Sequence, residues 1–165
     1  MTEKDEQPQV DIFRDTPVRY LGYANEVGEA FRSIVSKSIV HSSYVVACGY
    51  VLADTAHKGV QVYQADSSVN KSKNLALSTA DTLLWQGFAS VIIPGFTINR
   101  LCASIRYLQE KSFKSSFRSP WVATIIGLAS IPFIIHPIDN LVEYSMNTTY
   151  RQWTGYHPSK PLQST

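Results

Sequence analysis

Three long stretches without a charged residue constrain the fold of this chain more than any other feature. Their lengths are 16, 18 and 20 residues, and they cover residues 38–53, 82–99 and 119–138. A transmembrane helix needs about 20 consecutive, mainly apolar residues. The third stretch has that length and the second comes close to it, so the sequence favours membrane helices.

The ends of these stretches carry side chains that are typical of a membrane interface. Trp85 and Trp121 lie near the starts of the second and third stretches, and Arg100 directly follows the second. A charge in the middle of a membrane helix costs about 2.5–3.5 kcal/mol, so long charge-free segments suit insertion. We therefore predict three membrane helices, over residues 38–56, 82–100 and 119–138.

Composition alone does not decide between a membrane protein and a soluble one. Charged residues make up 17% of the chain, below the usual quarter, but hydrophobic residues at 44% and a mean hydropathy of -0.09 are ordinary. A soluble helical scaffold or enzyme therefore remains an alternative. The net charge of +2 is too small to indicate nucleic-acid binding, and 165 residues fit one domain.

A region before the first stretch has the period of an amphipathic helix. Apolar residues recur every three or four positions over residues 20–35, with Asn25, Glu26, Glu29 and Arg32 on the opposite side. The pattern predicts a helix whose apolar face packs on a core or lies on the membrane surface. Glu29 and Arg32 stand three residues apart and can form an ion pair on such a helix.

These elements predict an all-α, multi-pass membrane protein with about three membrane segments and amphipathic flanking helices. Residues 1–14 are expected to form a flexible tail, residues 15–150 the helical membrane domain, and residues 151–165 a second flexible tail. Residues 57–79 are polar and of mixed charge, which predicts a connecting loop. If all three segments span, the N-terminal region and the 100–118 loop share the side richer in Lys and Arg, predicted to be the inside.

The sequence contains no phosphate loop, dinucleotide fingerprint, zinc helix or serine elbow at usable spacing. We therefore predict no catalytic, cofactor-binding or metal-ligating residue and no enzyme activity. The residues with a predicted structural or interaction role are Glu26, Glu29, Arg32, Pro94, Gly95, Arg100, His136 and Asp139.

Prolines in the apolar stretches motivate a second alternative, a small transporter, channel or modulator of a carrier. Pro94 with Gly95 is expected to kink or end the second helix, and Pro132 and Pro137 to break the third. Broken membrane helices often mark solute sites. His136, three residues before Asp139, could relay protons there, although a structural hydrogen bond at a helix end explains it more simply.

Four blocks of sequence resemble one known family. They are residues 15–33, 50–54, 85–100 and 131–139, which include the strings IIPGFTINR and IPFIIHPID. In these blocks the chain is similar to the mitochondrial fission process protein family, also called the mitochondrial 18-kDa protein family. The blocks are long and uncommon, so the resemblance is specific.

The resemblance implies a multi-pass protein of the mitochondrial inner membrane that promotes mitochondrial fission and is linked to apoptosis. It implies contacts with the lipid bilayer and with inner-membrane or fission-machinery proteins, including the dynamin-like division GTPase, and none with nucleic acid. It supplies no catalytic residue and no cofactor, in agreement with the missing phosphate loop.

Overall fold

The computed structural model describes residue 13 and residues 16–65, 68–111 and 118–158. Within these residues all regular structure is helical, as predicted. A 3-10 helix over Pro17–Tyr23 comes first, and a π-helical segment, Gly87–Ile92, joins the third and fourth α-helices. The α-helices of this part of the chain are α1 (Ala24–Ala30), α2 (Lys37–Ala65), α3 (Lys71–Gln86), α4 (Ile93–Lys111), α5 (Pro120–Thr148) and α6 (Tyr150–Thr154).

The two predicted tails fall mainly outside the described residues. Of the 1–14 segment only Phe13 is described, and residues 159–165 of the C-terminal segment are not. The C-terminal segment begins within α6, where Arg151 is buried. Residues 151–154 are therefore helical, where the sequence predicted the start of a loose tail.

The first helix begins at the Thr16–Pro17 step. The Thr16 hydroxyl accepts a hydrogen bond from the backbone N–H of Val18 (3.3 Å), and Pro17 occupies the first helical turn, where its missing N–H costs nothing. The single helix predicted through residue 35 is instead divided. The 3-10 helix passes into α1, which ends at Ala30, and turns lead to α2.

The predicted 57–79 loop is wrong for most of its length. α2 continues to Ala65 and α3 begins at Lys71, so the described part of the connection is the short segment from residue 68 to 70. Polar residues on these helices form contacts within the bundle, as Asp54 and Lys58 do at 2.7 Å. The polar composition of residues 57–79 thus belongs mainly to two helices instead of a loop.

Pro94 does not end the second apolar helix. The chain from Lys71 to Lys111 is helical throughout its 41 residues, with the π-helical turns directly before the proline. Proline cannot donate a helical hydrogen bond, and a π-turn is a common way to absorb such a local irregularity. The predicted interruption is therefore a change of helical register that leaves the helix continuous.

Pro132 and Pro137 likewise lie inside an unbroken helix, so the predicted break in the third apolar stretch is wrong. α5 contains both prolines and runs from Pro120 to Thr148. Each proline removes one helical N–H, but the regular turns on either side keep the helix continuous.

Glycines bring α1 close to its neighbours in the centre of the bundle. A Cβ at Gly127 of α5 would lie 2.8 Å from Cys102 Sγ of α4 and 3.1 Å from the Cβ of Ala30. Real Cβ atoms do not approach so closely, so Gly127 lets α1, α4 and α5 meet at one point. Around this contact lies a small apolar cluster of Ala30, Ile98 and Cys102.

The distribution of polar and apolar side chains is inverted relative to a soluble protein. More large apolar side chains are exposed than buried; Phe133 of α5 is 80% exposed, while Glu26 and Asp54 are 0% exposed. In α1 Val27 is exposed and the polar residues Asn25, Glu26 and Glu29 are buried. Packing of the apolar face on a core is therefore wrong for Val27, and the alternative position of this face on the membrane surface stays a prediction. The helical period was predicted correctly, and the bundle buries the opposite face.

Two helices in the described part of the chain are long and apolar enough to cross a membrane, Lys71–Lys111 and Pro120–Thr154. They contain the predicted spans 82–100 and 119–138. In their most apolar windows only 39% and 28% of the residues are buried within the bundle, whereas a core helix of a soluble protein is mostly buried. The predicted 38–56 span lies in α2, which is not one of these two helices. A membrane span over residues 38–56 therefore stays a prediction.

Candidate functional site

The centre of the candidate site is the buried carboxylate of Glu29 on α1. It accepts hydrogen bonds from Arg32 Nε (2.6 Å) and Nη2 (2.5 Å), from the Tyr44 hydroxyl of α2 (2.9 Å) and from Asn99 Nδ2 of α4 (2.8 Å). The predicted Glu29–Arg32 pair is therefore present. It forms part of a network that ties α1 to two long helices, which we call the Glu29 cluster: Glu29, Arg32, Tyr44, Asn99 and Arg100.

Arg100 joins this cluster indirectly. Its Nε and Nη2 donate to Asn99 Oδ1 at 3.2 and 3.0 Å, and its guanidinium lies 5.4 Å from the centre of the Phe96 ring. Because Arg100 donates to the amide oxygen of Asn99, the amide nitrogen of Asn99 faces Glu29. Burial alone would raise the pKa of Glu29, but the hydrogen bonds from Arg32, Asn99 and Tyr44 outweigh it and hold the pKa below its usual value.

Pro94 and Gly95 border the same cluster and are both buried. A Cβ at Gly95 would lie 2.7 Å from the Tyr44 hydroxyl and 3.0 Å from Asn25 Nδ2. Asn25 Nδ2 in turn donates to the Val91 carbonyl in the π-helical segment at 3.0 Å. Gly95 therefore gives Tyr44 and Asn25 the room to reach their partners, which is a structural role.

Glu26 has a different environment from Glu29. It is completely buried, and neither carboxylate oxygen has a hydrogen-bond partner among the described residues. Desolvation raises the pKa of Glu26 from its ordinary 4.5 to about 8, against a smaller lowering by its own backbone N–H. At neutral pH Glu26 is therefore mostly protonated, which lets it lie in the bundle without a counter-ion.

Replacing Glu26 by glutamine should make the chain more stable, and the gain should grow as the pH rises. Between pH 4.5 and about 8 the folded state keeps a proton that the unfolded state releases, so wild-type stability falls with rising pH. The slope is at most about 1.4 kcal/mol per pH unit. Unfolding of the wild-type and Glu26→Gln proteins in mild detergent at pH 5.5 and 7.5 measures the gain in stability at each pH. A gain that is the same at both pH values would contradict a protonated Glu26.

The structure does not bring His136 and Asp139 to the Glu29 cluster. His136 is exposed on α5, and Asp139 is half-buried beside Arg19 at a separate cavity of about 200 Å³. Gln86 and Ser90 line the same cavity. The eight predicted residues thus divide into six in or beside the Glu29 cluster and two elsewhere.

Sequence reasoning missed a second buried network, which connects α2 to the π-helical segment. Asp54 Oδ2 accepts from Lys58 Nζ at 2.7 Å and from Gln86 Nε2 at 2.6 Å, and Ser90 Oγ donates to Gln86 Oε1 at 2.7 Å. Asp54 and Gln86 are buried. The available signal was a polar residue next to or within an apolar stretch, since such residues in membrane segments usually face the protein interior.

A third network, also missed, fastens α6 to α3. Arg151 binds Asp81 through two parallel hydrogen bonds, Nε to Oδ1 at 2.7 Å and Nη2 to Oδ2 at 2.9 Å. Its remaining nitrogen donates to Glu143 Oε1 (2.5 Å) and Asn147 Oδ1 (2.9 Å) of α5. Arg151 and Asp81 are 70 residues apart in sequence, so no local pattern predicts this pair.

The chemistry of these networks is that of structural fasteners. Each joins helices through charge-assisted hydrogen bonds, which are the strong ones in a water-poor interior. No group of three His, Cys, Asp or Glu side chains in the described part of the chain is placed to hold a metal ion. The arrangement supports a fixed helical bundle that presents its outer surface to other molecules.

Comparisons with known proteins agree over most of the chain. The family model of the mitochondrial 18 kDa protein (MTP18) matches residues 11–80 and 63–146. Mitochondrial fission process protein 1 of Caenorhabditis elegans is 54% identical over 156 residues, covering 92% of this chain and 93% of the relative. The protein of the same name from Homo sapiens is 46% identical over 144 residues, covering 86% and 87%.

A more distant relative occurs in a virus. An uncharacterised protein of Acanthamoeba polyphaga mimivirus is 26% identical over 148 residues, covering 85% of this chain and 77% of its own. No solved structure matches the chain. With a family model over most of its length and near-complete relatives at about half identity, the chain belongs to the mitochondrial 18 kDa protein family.

Proposed function

We propose that this chain is an integral, multi-pass protein of the mitochondrial inner membrane that promotes mitochondrial fission through protein contacts and without catalysis. The fission role is supported by relatives of 54% and 46% identity, each called a mitochondrial fission process protein. The inner-membrane location, the contacts with fission-machinery proteins and the link to apoptosis rest on the family resemblance of the sequence blocks. They belong to the same proposal.

One observation carries the membrane part of this proposal, the inverted burial of the bundle. Charged side chains such as Glu29 and Asp54 lie inside, each in its own hydrogen-bond network and beside small apolar clusters, while many large apolar side chains such as Phe133 lie outside. In water these exposed apolar side chains would promote aggregation. In a bilayer it is the favourable arrangement, because lipid accepts the apolar side chains, most buried polar groups bond within the bundle, and Glu26 is mostly protonated and therefore uncharged.

The contacts of the N-terminal region are divided between the two ends of the bundle. Arg19 lies beside Asp139, at the far end of the 119–138 stretch, whereas the turn after α1 reaches the start of α5, where Ser33 Oγ donates to the Pro120 carbonyl at 3.4 Å. The turn after α1, and not the 3-10 helix before it, therefore lies at the end of the bundle where α5 begins. We propose that this end, richer in Lys and Arg, faces the matrix.

The transport alternative has less support than the sequence indicated. It depended on broken helices and on a histidine at depth, but α5 continues through both of its prolines and His136 is exposed on the outer surface. The cavity beside Asp139 holds about 200 Å³, below the usual size of a small-molecule site. No specific observation favours transport over protein contacts.

Cells that lack this chain should contain longer, more connected mitochondria, and re-expression should restore their length to the control value. The reason is that fission no longer balances fusion when a fission-promoting protein is removed. Mean mitochondrial length in live cells is the measurement. A Glu143→Gln version serves as a control, since this half-exposed acid can be changed with little effect on the fold. Unchanged mitochondrial length after removal would contradict the proposal.

A further inference from the structure

A cavity of about 450 Å³ lies at the end of the bundle where α4 finishes and α5 begins. Two arginines border it, Arg106 of α4 and Arg118 just before α5, and both are exposed. The acid Glu110 also borders it, so the charged groups at its rim sum to one positive charge. The remaining lining residues are Ser33, Gln109 and Pro120.

The floor of this cavity is held in place by the surrounding helices. Gln109 is buried and its Nε2 donates to the Ser119 carbonyl at 2.9 Å, while Ser33 Oγ donates to the Pro120 carbonyl. These bonds fix the end of α4, the start of α5 and the turn after α1 relative to one another. The two guanidinium groups are thus attached to a defined framework of three elements.

The walls next to the cavity are apolar and unusually exposed. On α4, Tyr107 and Leu108 are 56% and 57% exposed, and on α5, Trp121 and Ile125 are 54% and 61% exposed. Trp and Tyr are enriched at the level of lipid headgroups. A ligand that fits this surface needs an anionic head for the arginines and a long apolar part for the helix faces.

We propose that this cavity binds the phosphate headgroup of an anionic phospholipid, with an acyl chain lying along α5. The inference rests on the proposed membrane function, because only a chain in a bilayer presents this end to lipid. Guanidinium groups bind phosphate oxygens in pairs, and basic cavities at the ends of membrane helices suit anionic headgroups.

The test uses the full chain in nanodiscs of phosphatidylcholine mixed with phosphatidylglycerol. Lipid that stays bound after transfer to mild detergent is counted by native mass spectrometry. We expect phosphatidylglycerol to be retained about tenfold over phosphatidylcholine. Both lipids carry a phosphate, but the choline ammonium of phosphatidylcholine offsets the attraction to the two arginines, whereas phosphatidylglycerol has a net negative charge. An Arg106→Gln, Arg118→Gln double variant should lose this preference.

A matched double variant, Lys37→Gln with Lys111→Gln, removes the same charge outside the cavity and should keep the preference. Equal loss in both double variants would show diffuse charge attraction and overturn the site. Far-UV circular dichroism checks that each variant is folded, and an Arg106→Lys, Arg118→Lys variant should keep part of the preference because the charge remains.

The remaining arms separate the lipid from free phosphate and from a failure of membrane insertion. Excess inorganic phosphate should leave the bound phosphatidylglycerol in place; displacement by phosphate would identify a free anion as the ligand and overturn the proposal. If the chain enters nanodiscs but shows no lipid preference, the lipid site alone is wrong. If it stays outside the nanodiscs, the membrane proposal and the lipid site both fail.

Discussion

Replacing Asp81 by alanine should destabilise the bundle by about 3–5 kcal/mol, the cost of leaving one partner of a buried ion pair alone. Both side chains of the Asp81–Arg151 pair are 6% exposed, and two parallel hydrogen bonds join them. Without Asp81 the Arg151 guanidinium keeps only its contacts to Glu143 and Asn147. Unfolding in mild detergent, followed by helical circular dichroism, measures the loss.

The same arginine provides the matched control. Glu143 also binds Arg151, but its side chain is 47% exposed, so a Glu143→Ala change should cost less than about 1 kcal/mol. The two variants remove one carboxylate each from a common partner and differ mainly in burial. Equal effects would contradict the view that α6 is held by a buried charge pair.

Replacing Glu29 by alanine should cost about 2–4 kcal/mol, because three donors lose their common acceptor. Tyr44, Asn99 and Arg32 are each partly buried, and all three lose this acceptor at once. The effect should also depend on pH. The lowered pKa of Glu29 means that its stabilisation is present above its ordinary value and is lost as the pH falls through the folded value.

Arg100→Gln is the control for this second variant. Arg100 is exposed and acts only through Asn99, so its replacement should change stability by less than about 1 kcal/mol. Urea unfolding of the detergent-solubilised chain at neutral pH compares the two variants. A Glu29→Ala protein as stable as Arg100→Gln would show that the Glu29 cluster does not join α1 to α2 and α4.

Local sequence signals predict a structural feature well when the feature depends on residues that are close in the sequence. The Glu29–Arg32 pair is confirmed because it depends on residues three positions apart in the sequence. The period of the region around α1 is also correct, but the pattern cannot say which face is buried. That choice depends on the surroundings: the apolar face turns inward in water, and in this bundle Asn25, Glu26 and Glu29 turn inward instead.

The prolines and the long-range pairs mark where prediction from the sequence ends. Pro94 follows a π-turn and Pro132 lies in an unbroken helix, because neighbouring helical turns compensate for one missing N–H. The Asp81–Arg151 pair joins residues 70 positions apart, and its partners are fixed only once α3 and α6 pack. Three of the five residues of the Glu29 cluster, Glu29, Arg32 and Arg100, were among the predicted residues, and the other two, Tyr44 and Asn99, lie on α2 and α4.

The central claim is that this helical bundle lies in the mitochondrial membrane with its apolar side chains toward lipid. Extraction of mitochondria with alkaline carbonate tests it directly, because the treatment releases soluble and peripheral proteins and leaves integral ones in the membrane pellet. A soluble matrix protein and a known multi-pass inner-membrane protein serve as markers. We predict that the chain stays in the pellet with the multi-pass marker; its release into the supernatant with the soluble marker would contradict the claim.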